Sequence, residues 1–272
     1  MGINRYLTTI KLMTLMLATT MSFSAVSFDE IDESVIFAAV AQGHHNDNNS
    51  GCNTINNPQL TIYPGSRISG TNGDDLSYCS INTNNGLPTD SCDTATGGDR
   101  LCTITGASIR GLKMNGIQAF ENSDGSAGSI GFCNSGDLIS LGDNGDTQFN
   151  SLSLFSDCAV TFSSDNDEYR FNAIRAGSGS ILKFPEGDYW INSLQLDAPS
   201  KIETTGRVRI FIGTSSQING GTINSLAEAG VQVIAYNNLT LNNQNVNGTS
   251  IPATINANVY SDERITINSG AI

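Results

Sequence analysis

Cations are scarce in this chain: 13 Lys and Arg stand against 26 Asp and Glu, and only 14% of the 272 residues are charged. With a net charge of −13, the chain lacks the clustered Lys and Arg needed to neutralise phosphates, so nucleic acid drops out as a partner. Tryptophan occurs once, histidine twice and proline six times. No GxSxG, HExxH, P-loop or CxxC motif is present, which removes the sequence signatures of several hydrolase, metalloprotease, nucleotide-binding and zinc-binding classes. Beyond the first 40 residues there is no run of strong helix formers. What is abundant is Gly, at 28, and Asn, at 30, with many Ser and Thr. These residues serve turns and short strands, so the composition predicts an all-β chain.

The first 25 residues read as a secretory signal peptide. Arg5 and Lys11 precede the apolar run Leu12, Met13, Leu15, Met16, Leu17 and Ala18, which ends in the small-residue stretch Ser22-Phe23-Ser24-Ala25. That run is about ten residues, short of the roughly 20 a helix needs to cross a bilayer, so no transmembrane segment is expected in the mature chain. The mature protein is expected to begin near Val26 or Phe28. In an exported chain the six cysteines, Cys52, Cys79, Cys92, Cys102, Cys133 and Cys158, are expected to oxidise into up to three disulfides. Fifteen pairings are possible. Short loops close most easily, which favours Cys52 with Cys79, Cys92 with Cys102 and Cys133 with Cys158.

Residues 26–102 are dense in Asn, Gly, Asp and Cys, with isolated strand-like fragments such as Leu60-Thr61-Ile62-Tyr63. An irregular region held by disulfides is expected there. From 103 to 272 the texture changes to short alternating runs bounded by Gly, Asn, Asp or Ser. Examples are Leu152-Ser153-Leu154, Ile181-Leu182-Lys183-Phe184, Val208-Arg209-Ile210-Phe211-Ile212 and Leu239-Thr240-Leu241. Alternation with period two means strands with one buried face. Phe149-Asn150-Ser151-Leu152, Phe171-Asn172-Ala173-Ile174 and Ile191-Asn192-Ser193-Leu194 repeat at spacings of 22 and 20 residues. A repeat of that length, made of short strands and polar turns, matches one coil of a parallel β-solenoid, or β-helix. A lone coil buries too little to order itself, whereas stacked coils complete one another's hydrogen bonds and share a core. Equivalent asparagines, Asn150, Asn172 and Asn192, are then placed to stack as an amide ladder or simply to serve turns. An antiparallel sandwich has similar strand spacing and is the competing architecture. The pattern runs on to Ile272 without a closing turn, so the solenoid is expected to continue past this point or to have its last coil covered.

Candidate chemistry is sparse. His44-His45 with Asp47 lies in a polar linker and lacks a third fixed ligand. Asp165, Asp167 and Glu168 offer oxygens of the kind Ca²⁺ takes, as do Asp143 and Asp146, but neither group forms a full calcium loop. Together with Arg170, the acids at 165, 167 and 168 make the one compact cluster on which a polysaccharide lyase or hydrolase would depend, and solvated turns explain them equally well. Tyr189 and the sole tryptophan, Trp190, follow the turn Pro185-Glu186-Gly187-Asp188; an exposed face there would stack on a sugar or a partner, whereas core packing is the plainer alternative. No cofactor is expected.

The stretch Gly187-Asp188-Tyr189-Trp190-Ile191-Asn192-Ser193-Leu194-Gln195-Leu196, with Gly206-Arg207-Val208-Arg209-Ile210-Phe211-Ile212, resembles MshQ-like proteins. So do Val231-Gln232-Val233-Ile234-Ala235-Tyr236, Asn238-Leu239-Thr240-Leu241 and Ile265-Thr266-Ile267-Asn268-Ser269. These proteins belong to the mannose-sensitive haemagglutinin (MSHA) type IV pilus system of Gram-negative bacteria. The resemblance covers roughly residues 170–272, and residues 28–110 have no part in it. It implies a fragment of a larger exported protein, secreted to the periplasm, outer membrane or cell surface, with pilus or other surface proteins, and surface glycans, as partners. No catalytic motif is carried over. A non-enzymatic role in pilus biogenesis or adhesion is therefore the expected function, with a carbohydrate-active enzyme and a passive spacer as the alternatives.

Overall fold

The computed structural model describes residues 39–43, 60–62, 75–78, 81–82, 103–104, 119–131, 133–155, 157–177, 179–228, 230–261 and 263–268. The described residues form strands joined by turns, bends and irregular backbone, without a helix. The N-terminal strands are β1 (Ala39–Gly43), β2 (Leu60–Ile62), β3 (Asp75–Tyr78), β4 (Ile81–Asn82) and β5 (Thr103–Ile104). Next come β6 (Ser129–Gly131), β7 (Leu138–Leu141), β8 (Gln148–Leu154), β9 (Ala159–Phe162), β10 (Glu168–Ala176), β11 (Ile181–Phe184), β12 (Gly187–Asp197) and β13 (Lys201–Thr204). The remainder are β14 (Val208–Asn219), β15 (Thr222–Ile223), β16 (Val231–Ala235), β17 (Leu239–Asn242), β18 (Gln244–Val246), β19 (Thr249–Ile251), β20 (Thr254–Ile255), β21 (Asn258–Ser261) and β22 (Ile265–Ile267).

These strands build a parallel β-solenoid, not a sandwich. Each coil spends a long strand in one sheet, turns, lays a short strand in a second sheet, and turns back. In the first sheet β8, β10, β12 and β14 pair in parallel, one coil on the next. The second sheet runs β7, β9, β11, β13, β15, β20, one strand per coil and six in all. Above β14 the long strand divides: Val208 pairs with Val231 of β16, and Ser216 pairs with Leu239 of β17. β16 and β17 are followed in turn by β21 and β22.

Register turns the period-two alternation into continuous interior columns. Phe149, Phe171, Ile191, Ile212 and Ala235 lie one above another, as do Leu154, Ala176, Leu196, Ile218, Leu241 and Ile267. From the second sheet, Val160, Leu182, Ile202 and Ile223 face them. All of these side chains are buried, so each coil supplies the cover its neighbour lacks. Phe162 stands edge-on to Tyr169, Phe171, Phe184 and Tyr189 at centroid distances of 5.0 to 5.8 Å. Tyr189 in turn stacks on Phe184 at 3.9 Å. Burial pushes the phenol of Tyr189, and that of Tyr169, above the ordinary tyrosine range. The unfolded chain releases these protons near pH 10 while the folded chain holds them. Their contribution to stability is thus complete below about pH 10 and is lost as pH rises further. Urea titrations at stepped alkaline pH are expected to show this decline, with a shallower slope for Tyr189→Phe.

Cys133 and Cys158 form a disulfide that ties the turn after β6 to the turn before β9, as the neighbour pairing expects. Cys52, Cys79, Cys92 and Cys102 lie outside the described residues, and so do His44, His45 and Asp47. The bond spans 25 residues, and closing a loop of that size restricts the unfolded chain by about 3 kcal/mol. Reduction is expected to lower the unfolding free energy by that amount in a denaturant titration, and Cys133→Ala with Cys158→Ala to reproduce the loss.

Two features depart from the plain repeat. Between β17 and β20 the chain inserts an antiparallel hairpin of β18 and β19, pairing Gln244 with Ile251. The coil of β21 and β22, where further chain or a partner is expected to add on, pairs with strands from the N-terminal region. β1 pairs in parallel with β21 (Ala41 with Val259) and β2 with β22 (Leu60 with Ile265). β3 and β4 then pair with β1 and β2. The strands β1 to β4 of the N-terminal region thus join the first sheet, and the rest of residues 26–102 lies outside the described residues.

Candidate functional site: the outer faces of the solenoid

The first halves of the long strands carry two outward columns. One runs Arg170, Trp190, Phe211, Ile234 and Tyr260, and the other Glu168, Asp188, Arg209, Gln232 and Asn258. The Trp190 and Phe211 rings stack at 3.9 Å, 7° from parallel. Phe120 packs edge-on to Trp190 at 5.6 Å and to Tyr236 at 5.4 Å. Its ring lies close to Gly213, where a methyl group would stand 3.0 Å from two Phe120 ring carbons and 2.6 Å from Asn192 Oδ1. Trp190 is consequently 1% exposed, and Tyr189, on the opposite side of the strand, is 0% exposed. Of the two readings of this pair, packing rather than an exposed stacking face describes the structure. Successive strand residues point to opposite faces; Tyr189 belongs to the core and Trp190 lies beneath Phe120.

The charged column is matched within itself and by the column beside it. Asp188 accepts two hydrogen bonds from Arg209, at 2.7 and 2.6 Å. The Arg209 guanidinium also lies 5.5 Å from the centroid of the Phe211 ring. Arg170 binds Glu168 at 2.6 Å and pairs with Glu121. Trp190 Nε1 donates to the other Glu168 oxygen at 3.2 Å. Of the four residues expected to converge for a carbohydrate-active enzyme, Glu168 and Arg170 thus neutralise each other. Asp165 and Asp167 are exposed in the preceding turn, where the Asp167 carbonyl accepts the Asp188 N–H at 2.8 Å. Among the described residues no three His, Cys, Asp or Glu side chains are grouped to hold a metal ion. Asp165, Asp167 and Glu168 therefore do not assemble as a calcium-type ligand set, and Asp143 and Asp146 are likewise exposed turn residues.

The second halves of the long strands present a different surface. Ser153, Arg175, Gln195, Gln217, Thr240 and Thr266 form one outward column. Beside it runs a side-chain ladder the sequence reading missed: Asn219 donates to Asp197 at 2.9 Å, Asn242 to Asn219 at 2.7 Å, and Asn268 to Asn242. Its signal was available, since each member directly follows an inward Leu or Ile at the end of a run (Leu196-Asp197, Ile218-Asn219, Leu241-Asn242, Ile267-Asn268). The ladder expected at Asn150, Asn172 and Asn192 forms a single step, Asn172 to Asn150 at 3.2 Å. At the bend of β12, Asn192 instead accepts Thr214 Oγ1 on its backbone carbonyl at 3.0 Å.

No protein-family model, curated protein or solved structure matches the chain. Among the described residues no helix is long and apolar enough to cross a membrane.

Proposed function

We propose that this chain is an exported β-solenoid of a Gram-negative cell-surface or pilus system, similar in role to MshQ-like proteins, and that it acts in pilus biogenesis or adhesion by presenting its outer faces. The observation that carries the reading is the repetition of polar outer columns once per coil along a stack of parallel strands. Such a surface engages a partner over many weak, equivalent contacts. Glu168, the acid an enzyme would draw on, is held by Arg170 and Trp190, which favours presentation over catalysis.

The test is expression of the whole chain in a pilus-bearing Gram-negative host. Export predicts a mature N-terminus near Val26 to Phe28, digestion of the protein by protease added to intact cells, and co-sedimentation with sheared pili or the outer-membrane fraction. Full-length protein retained in the cytoplasm overturns the proposal.

A further inference from the structure

We propose that the outward face of the second strand halves binds a neutral polysaccharide laid along the solenoid axis, with Phe155, Arg175, Gln195, Asp197, Gln217 and Asn219 as its centre. The inference rests on the presentation reading above and gives it a ligand class.

Three observations converge. The first is an exposed aromatic at the head of the polar array. Phe155 is 41% exposed, and Arg175, on the next coil, lies over its ring at 5.2 Å. Gly177, whose N–H bonds the Leu154 carbonyl at 2.9 Å, places no side chain between the coil of Phe155 and that of Asp197. An aromatic ring beside hydrogen-bonding side chains suits a sugar, which has both C–H faces and hydroxyl edges.

The second is that the polar groups are held in position before any ligand arrives. Asp197 accepts from Gln195 at 3.0 and 2.8 Å and from Asn219 at 2.9 Å, and Arg175 lies 3.9 Å from its other oxygen. Asn219 and Asn242 each spend one amide donor and one acceptor on their ladder neighbours, which fixes their orientation. Side chains fixed in this way lose little freedom on binding.

The third is charge and spacing. Arg175 and Asp197 compensate each other, so the centre is neutral, while the whole chain at −13 repels polyanions. Parallel strands repeat about every 4.8 Å, a distance comparable to one sugar unit of an extended glycan. Successive coils thus offer Gln195, then Gln217, then Thr240 to successive sugars.

The experiment is native electrophoresis of the whole chain through gels containing galactomannan, xyloglucan or dextran as neutral probes, and alginate as the polyanion. Retardation is expected in at least one neutral gel and not in alginate. Phe155→Ala and Gln217→Ala, both at exposed positions, are expected to weaken it at least tenfold, while Lys183→Ala on the outer side of the second sheet leaves it unchanged. Absence of retardation in all three neutral gels, equal retardation of both variants, or preference for alginate overturns the proposal. Protease accessibility on intact cells separates the two readings. Wild-type protein displayed without glycan retardation sinks the glycan face alone, and retardation by a chain kept in the cytoplasm sinks the presentation reading alone.

Discussion

Replacing Tyr189 with Ala is expected to lower the unfolding free energy by about 4 kcal/mol. The ring is wholly buried, stacked 3.9 Å from Phe184 and 5.6 Å from Tyr169, and edge-on to Phe162 at 5.8 Å. Truncation opens a cavity among three other aromatics, in a column that neighbouring coils hold at fixed spacing and that cannot readily collapse. Tyr189→Phe keeps the ring and loses only the hydroxyl's bond to the Pro185 carbonyl at 3.0 Å, a cost of about 1 kcal/mol. Trp190→Ala is expected to match the larger figure from the other side of the strand, because its ring is sealed between Phe120 and Phe211. Urea titration of the three variants checks this. A loss below about 1 kcal/mol for either alanine variant would mean that its ring stands free, as a stacking platform would require.

That prediction marks where the sequence was legible and where it was not. Val208, Ile210 and Ile212 alternate with Arg209 and Phe211, and the structure puts the first three in the core, because a pleated strand fixes sidedness locally. The 22- and 20-residue spacings from Phe149 through Phe171 to Ile191 became interior columns for the same reason, since stacked coils must keep register to bury what they share. Cys133 and Cys158 paired as sequence neighbours because they sit on turns of adjacent coils. The fate of Trp190 was not local. Alternation put it outward, and the cover from Phe120, distant in sequence, together with the stacked Phe211 of the next coil, makes outward mean buried. The pairing of β1 with β21 is likewise a contact between opposite ends of the chain, which no periodicity encodes. At the candidate binding face, the same alternation sets Gln195, Gln217 and Asn219 outward beside the buried Leu196 and Ile218. What it left unread was the network: Gln195 bonds two positions along its own strand while Asn219 bonds across coils, and that choice depends on Asp197 lying between them.

Asn224→Ala is expected to cost about 4 kcal/mol, from four side-chain hydrogen bonds worth about 1 kcal/mol each. Asn224 follows β15, is 0% exposed and has φ of 55°, a left-handed conformation that Asn tolerates better than most residues. Its Oδ1 accepts from Thr204 Oγ1 at 2.8 Å and from the Glu228 N–H at 2.9 Å. Its Nδ2 donates to the carbonyls of Glu228 at 2.9 Å and Asn256 at 2.6 Å. One amide therefore ties the turn to itself and to the coils on either side, within a column that is aromatic lower down at Phe162 and Phe184. Asn224→Asp separates the two halves of this role. The carboxylate keeps the acceptor bonds but sets negative charge against two carbonyl oxygens, so its pKa in the folded chain must rise. With a raised pKa, the folded variant is most stable below the unfolded value near pH 3.9 and loses stability as pH climbs through the folded one. Urea titrations from pH 3 to 8 should show Asn224→Asp approaching wild type in acid and Asn224→Ala at neutral pH. A pH-independent difference would mean the amide's donors carry no energy at this corner.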